Sequence, residues 1–223
     1  AGVEDRKIPL MKTDELVALL AARAEPVQRH AAARRLALAL AVGLPLSVAT
    51  MVFEYGVRRD LVQTLFWPMF WVKLLFPACV AVAGFVLVQR LARPGVRVRA
   101  AWLGVAVPVL LVWALGLAAW LMAPVDERAA MVWGQTWRTC VFNIAFIALP
   151  VFVASLVALK SLAPTRPALA GAAAGAMSAG AGAAVYALHC PELAAPFLAI
   201  WYVMGMALPM AAGALIGHRM LRW

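Results

Sequence analysis

Two of the three cysteines lie where thiol chemistry is possible. Cys140 lies at the start of a long apolar run, and Cys190 lies in the short stretch His189-Cys190-Pro191-Glu192 between two other runs. If these runs are membrane helices, both cysteines lie near the same membrane surface. In an oxidising compartment they could form a disulfide, and as thiolates they could bind a soft metal ion with His189 as a third ligand. The sequence leaves open the alternative of two unrelated cysteines that pack as small apolar side chains.

The third cysteine and one lysine lie inside predicted membrane spans. Cys79 is about ten residues into its span, roughly 15 Å deep at the helical rise, so we expect it to pack within the bundle and not to reach the pair. Lys73 is the one cation inside a span, and an ionisable group in hydrocarbon is costly unless it is paired. Glu54, at the end of the preceding span, is the candidate counter-ion. We predict a structural Glu54–Lys73 ion pair, with snorkelling of the lysine to the nearby surface as the alternative.

A further candidate is the polar segment before the first apolar run. Residues 1–10 differ in pattern from the rest of this segment and are interpreted as an upstream extension or an expression remnant. The chain then predicts a short helix with Asp14 and Glu15 in its first turn, where carboxylates are favourable. Three leucines share one face of this helix at helical spacing: Leu16, Leu19 and Leu20. Such a stripe either lies on the membrane surface or binds in the groove of a partner protein.

Six helical spans are needed to position these residues. Hydrophobic residues make up 65% and charged residues 13% of the 223 positions, whereas a soluble domain is roughly half apolar and a quarter charged. Six apolar runs approach the roughly 20 residues of a helical span: 36–55, 69–88, 100–122, 139–159, 167–188 and 193–217. The fifth run carries Gly and Ala at spacings of three or four, so we expect it to lie centrally in the bundle.

The basic residues predict the orientation of the bundle. Of the 20 Lys and Arg residues, fifteen lie on the side that holds both chain ends, and four lie on the other: Arg58, Arg59, Arg128 and Arg138. Because cytoplasmic loops carry the excess of Lys and Arg, we predict cytoplasmic termini and external cysteines. The charges punctuate apolar runs rather than forming one patch, which argues against direct nucleic-acid binding despite the net charge of +10.

The predicted fold is therefore an all-α membrane protein, a six-transmembrane-helix bundle with a short N-terminal cytoplasmic helical segment. We divide the chain into the extension 1–10, a cytoplasmic partner-binding segment 11–35 and a six-helix transmembrane domain 36–223.

The order of several stretches resembles the NrsF family of bacterial membrane anti-sigma factors, negative regulators of an extracytoplasmic-function (ECF) sigma factor of the sigma F type. The stretches are MKTDELVALLA at 11–21, PMFWVKLLFP at 68–77, WRTCVFNI at 137–144, LAPTRPALAG at 162–171, YALHCPELAAPF at 186–197 and LRW at 221–223. The resemblance extends over nearly everything from Met11 onward.

The resemblance implies a regulator of the bacterial inner membrane that is not an enzyme and has no obligatory cofactor. It implies that the N-terminal segment binds the sigma factor, with the first-turn carboxylates and the leucine stripe as candidate contacts: Asp14, Glu15, Leu16, Leu19 and Leu20. It also implies that heavy metal or oxidant acts on Cys140 and Cys190, with a soft metal ion as the possible ligand and His189 as an accessory. The bundle would then shift, and the N-terminal helix would release the sigma factor.

Two other functions remain open on the sequence. A quinone-linked thiol–disulfide oxidoreductase also has few spans and external cysteines, but it would usually carry a CxxC pair, which this chain lacks. A small transporter would carry intramembrane ionisable residues or an internal repeat, and only Lys73 fits that pattern. Soluble-enzyme motifs such as HExxH or a P-loop do not occur in the sequence.

Overall fold

A computed structural model of the chain describes residues 12–22, 30–93, 95–96 and 98–221, and the chain divides into two units, 1–31 and 32–223. The described elements, all helical, are α1 (Thr13–Ala22), α2 (Ala31–Glu54), α3 (Leu61–Thr64), α4 (Pro68–Leu91), α5 (Arg99–Met122), α6 (Arg128–Trp133), α7 (Trp137–Lys160), α8 (Pro167–Tyr186), α9 (Ala195–Phe197), a π-helical turn (Leu198–Tyr202) and α10 (Val203–Met220). The predicted all-α class is confirmed for these residues. The predicted extension 1–10 lies outside them.

Six of the helical segments in the described part of the chain are long and apolar enough to cross a membrane, as predicted. Among the first three spans, α2 differs most from its predicted start. The helix begins at Ala31, whereas the predicted span begins at Leu36. Arg34 and Arg35 extend the helix beyond its apolar part, since helical hydrogen bonding does not require apolar side chains. Arg35 Nη1 donates to Ser161 Oγ at 2.6 Å, which fixes the start of α2 against the end of α7.

The small-residue helix α8 lies at the centre of the bundle, and most of its residues are buried. A Cβ added at Gly180 would lie 2.9 Å from the Cα of Ala81 in α4, and one added at Gly182 would lie 2.8 Å from the Cα of Ala148 in α7. Gly175 meets the backbone of α10 in the same way. These approaches need residues without side chains, because helix backbones can come this close only at glycine. The predicted central position is confirmed.

The bundle has two chemically different ends. The cysteine end is defined by the loops 55–67, 123–136 and 187–194, which hydrogen-bond to one another through Arg58, Gln135 and Thr136. The arginine end is defined by the opposite helix ends, at Arg35, Arg90 and Arg166. All Asp and Glu residues of 32–223 lie at the cysteine end: Glu54, Asp60, Asp126, Glu127 and Glu192.

Candidate functional site

The candidate site is built on the loop 187–194, which joins α8 to α9 at the cysteine end. The Cys190 N–H donates to Tyr186 O at 3.0 Å, so the chain turns tightly as it leaves α8. The Arg58 N–H donates to Leu188 O at 3.1 Å and attaches the loop after α2 to the same turn. Cys190 itself is completely buried. The loop is therefore a packed structure that holds Cys190 away from solvent.

Cys140 lies in the first turn of α7, where its N–H donates to Thr136 O at 2.9 Å. Thr136 connects the two cysteines, because its Oγ1 also lies 4.0 Å from Cys190 Sγ. Both cysteines belong to the same cluster of buried side chains. Both are free thiols, and both residues are completely buried. The fold thus brings Cys140 and Cys190 into one buried cluster, while their sensing role stays a prediction.

Lys73 forms no ion pair with Glu54, so that prediction is wrong. Lys73 is completely buried, and its Nζ donates to Cys190 O at 2.5 Å and to Glu192 O at 2.7 Å. The ring of Tyr202 lies 5.4 Å from the same ammonium group. Glu54 is exposed at the end of α2. Snorkelling does not occur either, because the loop carbonyls supply acceptors inside the bundle, where a buried charge requires hydrogen-bond partners.

The Glu192 side chain attaches the loop to the start of α7. Its Oε1 accepts hydrogen bonds from the Gln135 N–H at 2.6 Å and the Thr136 N–H at 3.1 Å. The first N–H groups of a helix lack partners within it and carry partial positive charge, so a carboxylate there is stabilising. Gly134 has φ +51°, and a Cβ at this position would lie 2.6 Å from Glu192 Oε2. Glu192 and Gly134 therefore fix the position of Cys190 relative to Cys140.

Arg58 is a further support of the loop. Its Nη1 donates to Cys190 O at 3.3 Å, and its Nη2 lies 2.7 Å from Asp60 Oδ2. The contact between Arg58 and Asp60 is an ion pair. The guanidinium hydrogen-bonds the Asp60 carboxylate and so lowers the pKa of Asp60 to about 2. Two cations, Arg58 and Lys73, therefore point at the same Cys190 carbonyl from different segments of the chain.

His189 is not grouped with the two cysteines in the structure described, and its role as a third metal ligand stays a prediction. Its Nδ1 lies 2.9 Å from Gly56 O, and its ring packs between Tyr55 and Tyr186 at centroid distances of 5.4 and 5.7 Å. The described residues contain no group of three or more His, Cys, Asp or Glu side chains placed to hold a metal ion. A soft metal ion at this site would be held by two thiolates, a ligand set that such ions accept.

Beneath the cysteines lies a layer of aromatic residues. The Tyr186 and Tyr202 rings lie 6.0 Å apart, and Asn143 Nδ2 donates to the Tyr186 hydroxyl at 3.3 Å. Tyr202 ends the π-helical turn, is completely buried, and has no hydrogen-bond partner for its hydroxyl among the described residues. Turns of this kind occur frequently at functional sites. The cluster thus combines two thiols with a buried hydroxyl that lacks a partner.

Among the residues of this site that sequence reasoning missed, four hold the loop in place: Arg58, Gly134, Thr136 and Glu192. A signal was present for Glu192, because it is the single carboxylate in a very short loop and lies two positions after Cys190. The other three depend on how distant loops meet, and their local sequence gives no such signal. Cys79 is exposed on α4, so the prediction that it packs in the bundle is wrong.

The predicted partner-binding helix is present in the first unit. Asp14 and Glu15 lie in the first turn of α1, and none of its residues is buried. Its three stripe leucines are exposed: Leu16, Leu19 and Leu20. The remaining residues of the predicted segment 11–35 include 11 and 23–29, which lie outside the described residues. The structure therefore supplies a helix with an exposed leucine stripe, and the partner of that stripe stays a prediction.

Comparison with known proteins identifies the family of the chain. The family model described as NrsF, negative regulator of sigma F, matches residues 20–223. The chain is 44% identical over 213 residues to the probable anti-sigma-F factor NrsF of Azospira oryzae. It is 39% identical over 218 residues to the anti-sigma-F factor NrsF of Caulobacter vibrioides. Each match covers 96% of this chain and 100% of the relative.

No solved structure matches the chain significantly. The two matched relatives are named as regulators and not as enzymes. The family model spans both cysteines and all six long apolar helical segments of the described bundle. This chain belongs to the NrsF family.

Proposed function

We propose that this chain is a membrane anti-sigma factor that binds an ECF sigma factor through α1 and releases it when heavy metal or oxidant acts on Cys140 and Cys190. The observation that carries the regulatory role is the near full-length match to two anti-sigma-F factors. Two structural features support the finer parts of the proposal. One is the exposed leucine stripe of α1, and the other is the buried thiol cluster of the bundle.

The proposed location is the bacterial inner membrane, with the arginine end and both chain ends in the cytoplasm. Support comes from the six long apolar helical segments and from the excess of Lys and Arg at the arginine end. Alkaline phosphatase, which is active only outside the cytoplasm, tests this orientation. We expect activity when it is inserted within the 123–127 loop and none when it is fused after residue 223. The reverse pattern would contradict the proposed orientation.

The proposed sigma contact is the leucine stripe of α1. An exposed apolar stripe gains free energy when a partner groove covers it, and burying one leucine contributes roughly 1.5–3 kcal/mol. We therefore expect Leu19→Ser in the full-length protein to weaken sigma binding by at least about tenfold. Ala18→Ser is the matched control, because Ala18 lies outside the leucine stripe of α1 and receives the same side chain.

The binding test is co-purification of the full-length protein from its host, with the bound sigma factor identified by mass spectrometry. Recovery that falls with Leu19→Ser but not with Ala18→Ser supports the contact. Equal recovery from both variants would place the sigma contact elsewhere, and recovery of no sigma factor from the unaltered chain would contradict the proposed function.

The proposed stimulus changes the chemistry of the cysteine pair. Oxidation joins the Cys140 and Cys190 sulfurs, and the two electrons and two protons that they lose pass to the oxidant. A soft metal ion would instead bind both thiolates and displace the two thiol protons. Since both residues are completely buried, either reagent must react with a state in which the loop 187–194 has opened. A stimulus that reacts only with that state shifts the bundle toward it.

The sensing test compares cysteine variants in the host. We expect Cys140→Ser and Cys190→Ser to abolish sigma-dependent reporter induction by cadmium or dichromate while leaving sigma binding intact. Cys79→Ser is the matched control, because this exposed cysteine lies away from the cluster. If the double variant still releases sigma normally under both agents, the cysteine pair is not the sensor.

A further inference from the structure

The arginine end carries a cleft whose lining residues are basic. It has a volume of about 570 Å³, and the guanidinium-bearing residues among those that line it are Arg90, Arg93 and Arg166. Thr165 adds a hydroxyl, and no carboxylate lines the cleft among the described residues. Arg166 also precedes α8 as its N-cap residue, so the positive end of that helix faces the same region. The cleft is thus suited to a small group with negative charge.

An apolar groove begins where this cleft ends. Its first part, about 610 Å³, lies between α4 and α5 and shares Arg90 with the cleft. Its second part, about 330 Å³, shares Leu75 and Cys79 with the first and extends to Leu115. Apart from Arg90, the described lining of both parts carries no charged side chain. Cleft and groove therefore adjoin at Arg90, with basic lining at the helix ends and apolar lining along α4 and α5.

We propose that this surface binds an anionic glycerophospholipid, with the headgroup phosphate in the arginine cleft and an acyl chain along the α4–α5 groove. The two chemistries occur in the order in which a lipid presents them, phosphate first and hydrocarbon second. Basic pockets between membrane helices bind such headgroups on the cytoplasmic side. Residues 32–223 contribute no Asp or Glu to the arginine end. The inference rests on the proposed insertion in a membrane and not on sigma binding.

A soluble anion or a second copy of the chain explains less of this surface. A free phosphate would use the cleft but not the groove. A second copy would bring its own basic arginine end against this one, because its residues 32–223 offer no Asp or Glu there. Only a lipid matches both the charge of the cleft and the apolar lining of the groove.

Native mass spectrometry of the full-length protein in detergent tests the inference with two probes. These are dioleoylphosphatidylglycerol and dioleoylphosphatidylcholine, which share acyl chains and differ in headgroup charge. We expect the anionic lipid to be preferred by on the order of tenfold. The preference should disappear in the triple variant Arg90→Gln, Arg93→Gln and Arg166→Gln. It should persist in a control of equal charge change at the same end that leaves the cleft intact: Arg34→Gln, Lys160→Gln and Arg219→Gln.

A second pair of variants tests the groove. Val82 lines the groove and Val157 lies on α7, away from the groove, and the two are similarly exposed, at 64% and 68%. We expect Val82→Trp to fill the groove and lower occupancy by the anionic lipid severalfold, and Val157→Trp to leave it unchanged. Both exposed positions tolerate a larger side chain without changes to the core.

Three results would overturn the inference. The first is that the unaltered protein shows no preference between the two headgroups. The second is that the cleft variant and the control variant lose the preference equally. The third is that inorganic phosphate displaces the lipid at the same concentration as the lipid. If the cleft variant fails to fold, as judged by circular dichroism, Arg166→Gln alone must halve the preference or the assignment fails. Sigma co-purification, measured separately, distinguishes failure of this inference from failure of the proposed function.

Discussion

Replacement of Lys73 by methionine tests whether the lysine holds the cysteine loop closed. Methionine keeps most of the length and the apolar stem of the side chain but removes both bonds, to Cys190 O and Glu192 O. Hydrogen bonds to a charged group contribute about 1.5–3 kcal/mol each. Cys190 O keeps a longer bond from Arg58 at 3.3 Å, so the loss for the closed loop is nearer 2–4 kcal/mol. The loop should therefore open roughly 30- to 900-fold more often.

The assay is the rate at which maleimide labels the two buried cysteines in purified protein, measured in a Cys79→Ser background so that the exposed thiol does not contribute. When the loop opens and closes fast relative to labelling, the labelling rate follows the population of the open loop. Lys73→Met should therefore accelerate labelling by roughly 30- to 900-fold. Glu54→Gln is the control, because Glu54 is exposed. An unchanged rate for Lys73→Met, or equal acceleration by Glu54→Gln, would refute the role assigned to these hydrogen bonds.

Two further substitutions near the loop and one in the core have definite expected outcomes. Gly134→Ala places a methyl group against the Glu192 carboxylate at a positive φ and should destabilise the fold by about 1–3 kcal/mol in thermal unfolding. The pKa of Asp60 is about 2 in the folded protein and about 3.9 in the unfolded chain. Its contribution to the stability of the fold is therefore present above pH 4 and is lost as the pH falls toward 2. The variant Asp60→Asn, lacking the charge paired with Arg58, should lose that part of the pH dependence. Gly171→Leu should prevent assembly, because even a methyl group there would overlap a backbone carbonyl of α10; unchanged thermal stability would contradict the close packing.

The length of each apolar run and the spacing of small residues allow the sequence to predict the six spans and the helix at the centre of the bundle. The six spans are predictable because hydrocarbon imposes a length and an apolar exterior on each helix. The central position of α8 is predictable because glycines at that spacing favour close helix packing. Helix ends are less predictable, as α2 shows: its helix includes Arg34 and Arg35, although charge had placed them outside the span.

The polar contacts of the site were less predictable, because their acceptors are mostly backbone atoms. The sequence suggested Glu54 as partner for Lys73 since it displays side chains alone, whereas the fold supplies two loop carbonyls. The contact of His189 was unpredictable for a related reason, because its Nδ1 lies 2.9 Å from a backbone atom, Gly56 O. The spacing of the cysteines did predict that they could meet, since both lie at the same end of adjacent helices. Cys79 was misassigned because depth along a helix does not reveal which face the residue occupies.

Helix α8 connects the cysteine end of the bundle to the arginine end. Glu192 joins the loop after α8 to the start of α7, and the other end of α8 begins at Arg166 in the basic cleft. Because α8 packs on α4, α7 and α10 through backbone-to-backbone contacts at glycines, it has little room to bend. If opening of the cysteine loop displaces α8, the helix would therefore move as a rigid body and the displacement would reach the arginine end. Glu192→Gln weakens the hydrogen bonds at one end, and Arg166→Gln removes a cation of the cleft at the other. If α8 is the rigid connection, the effects of the two variants on cysteine labelling should depart from additivity; simple addition would show that the ends act independently.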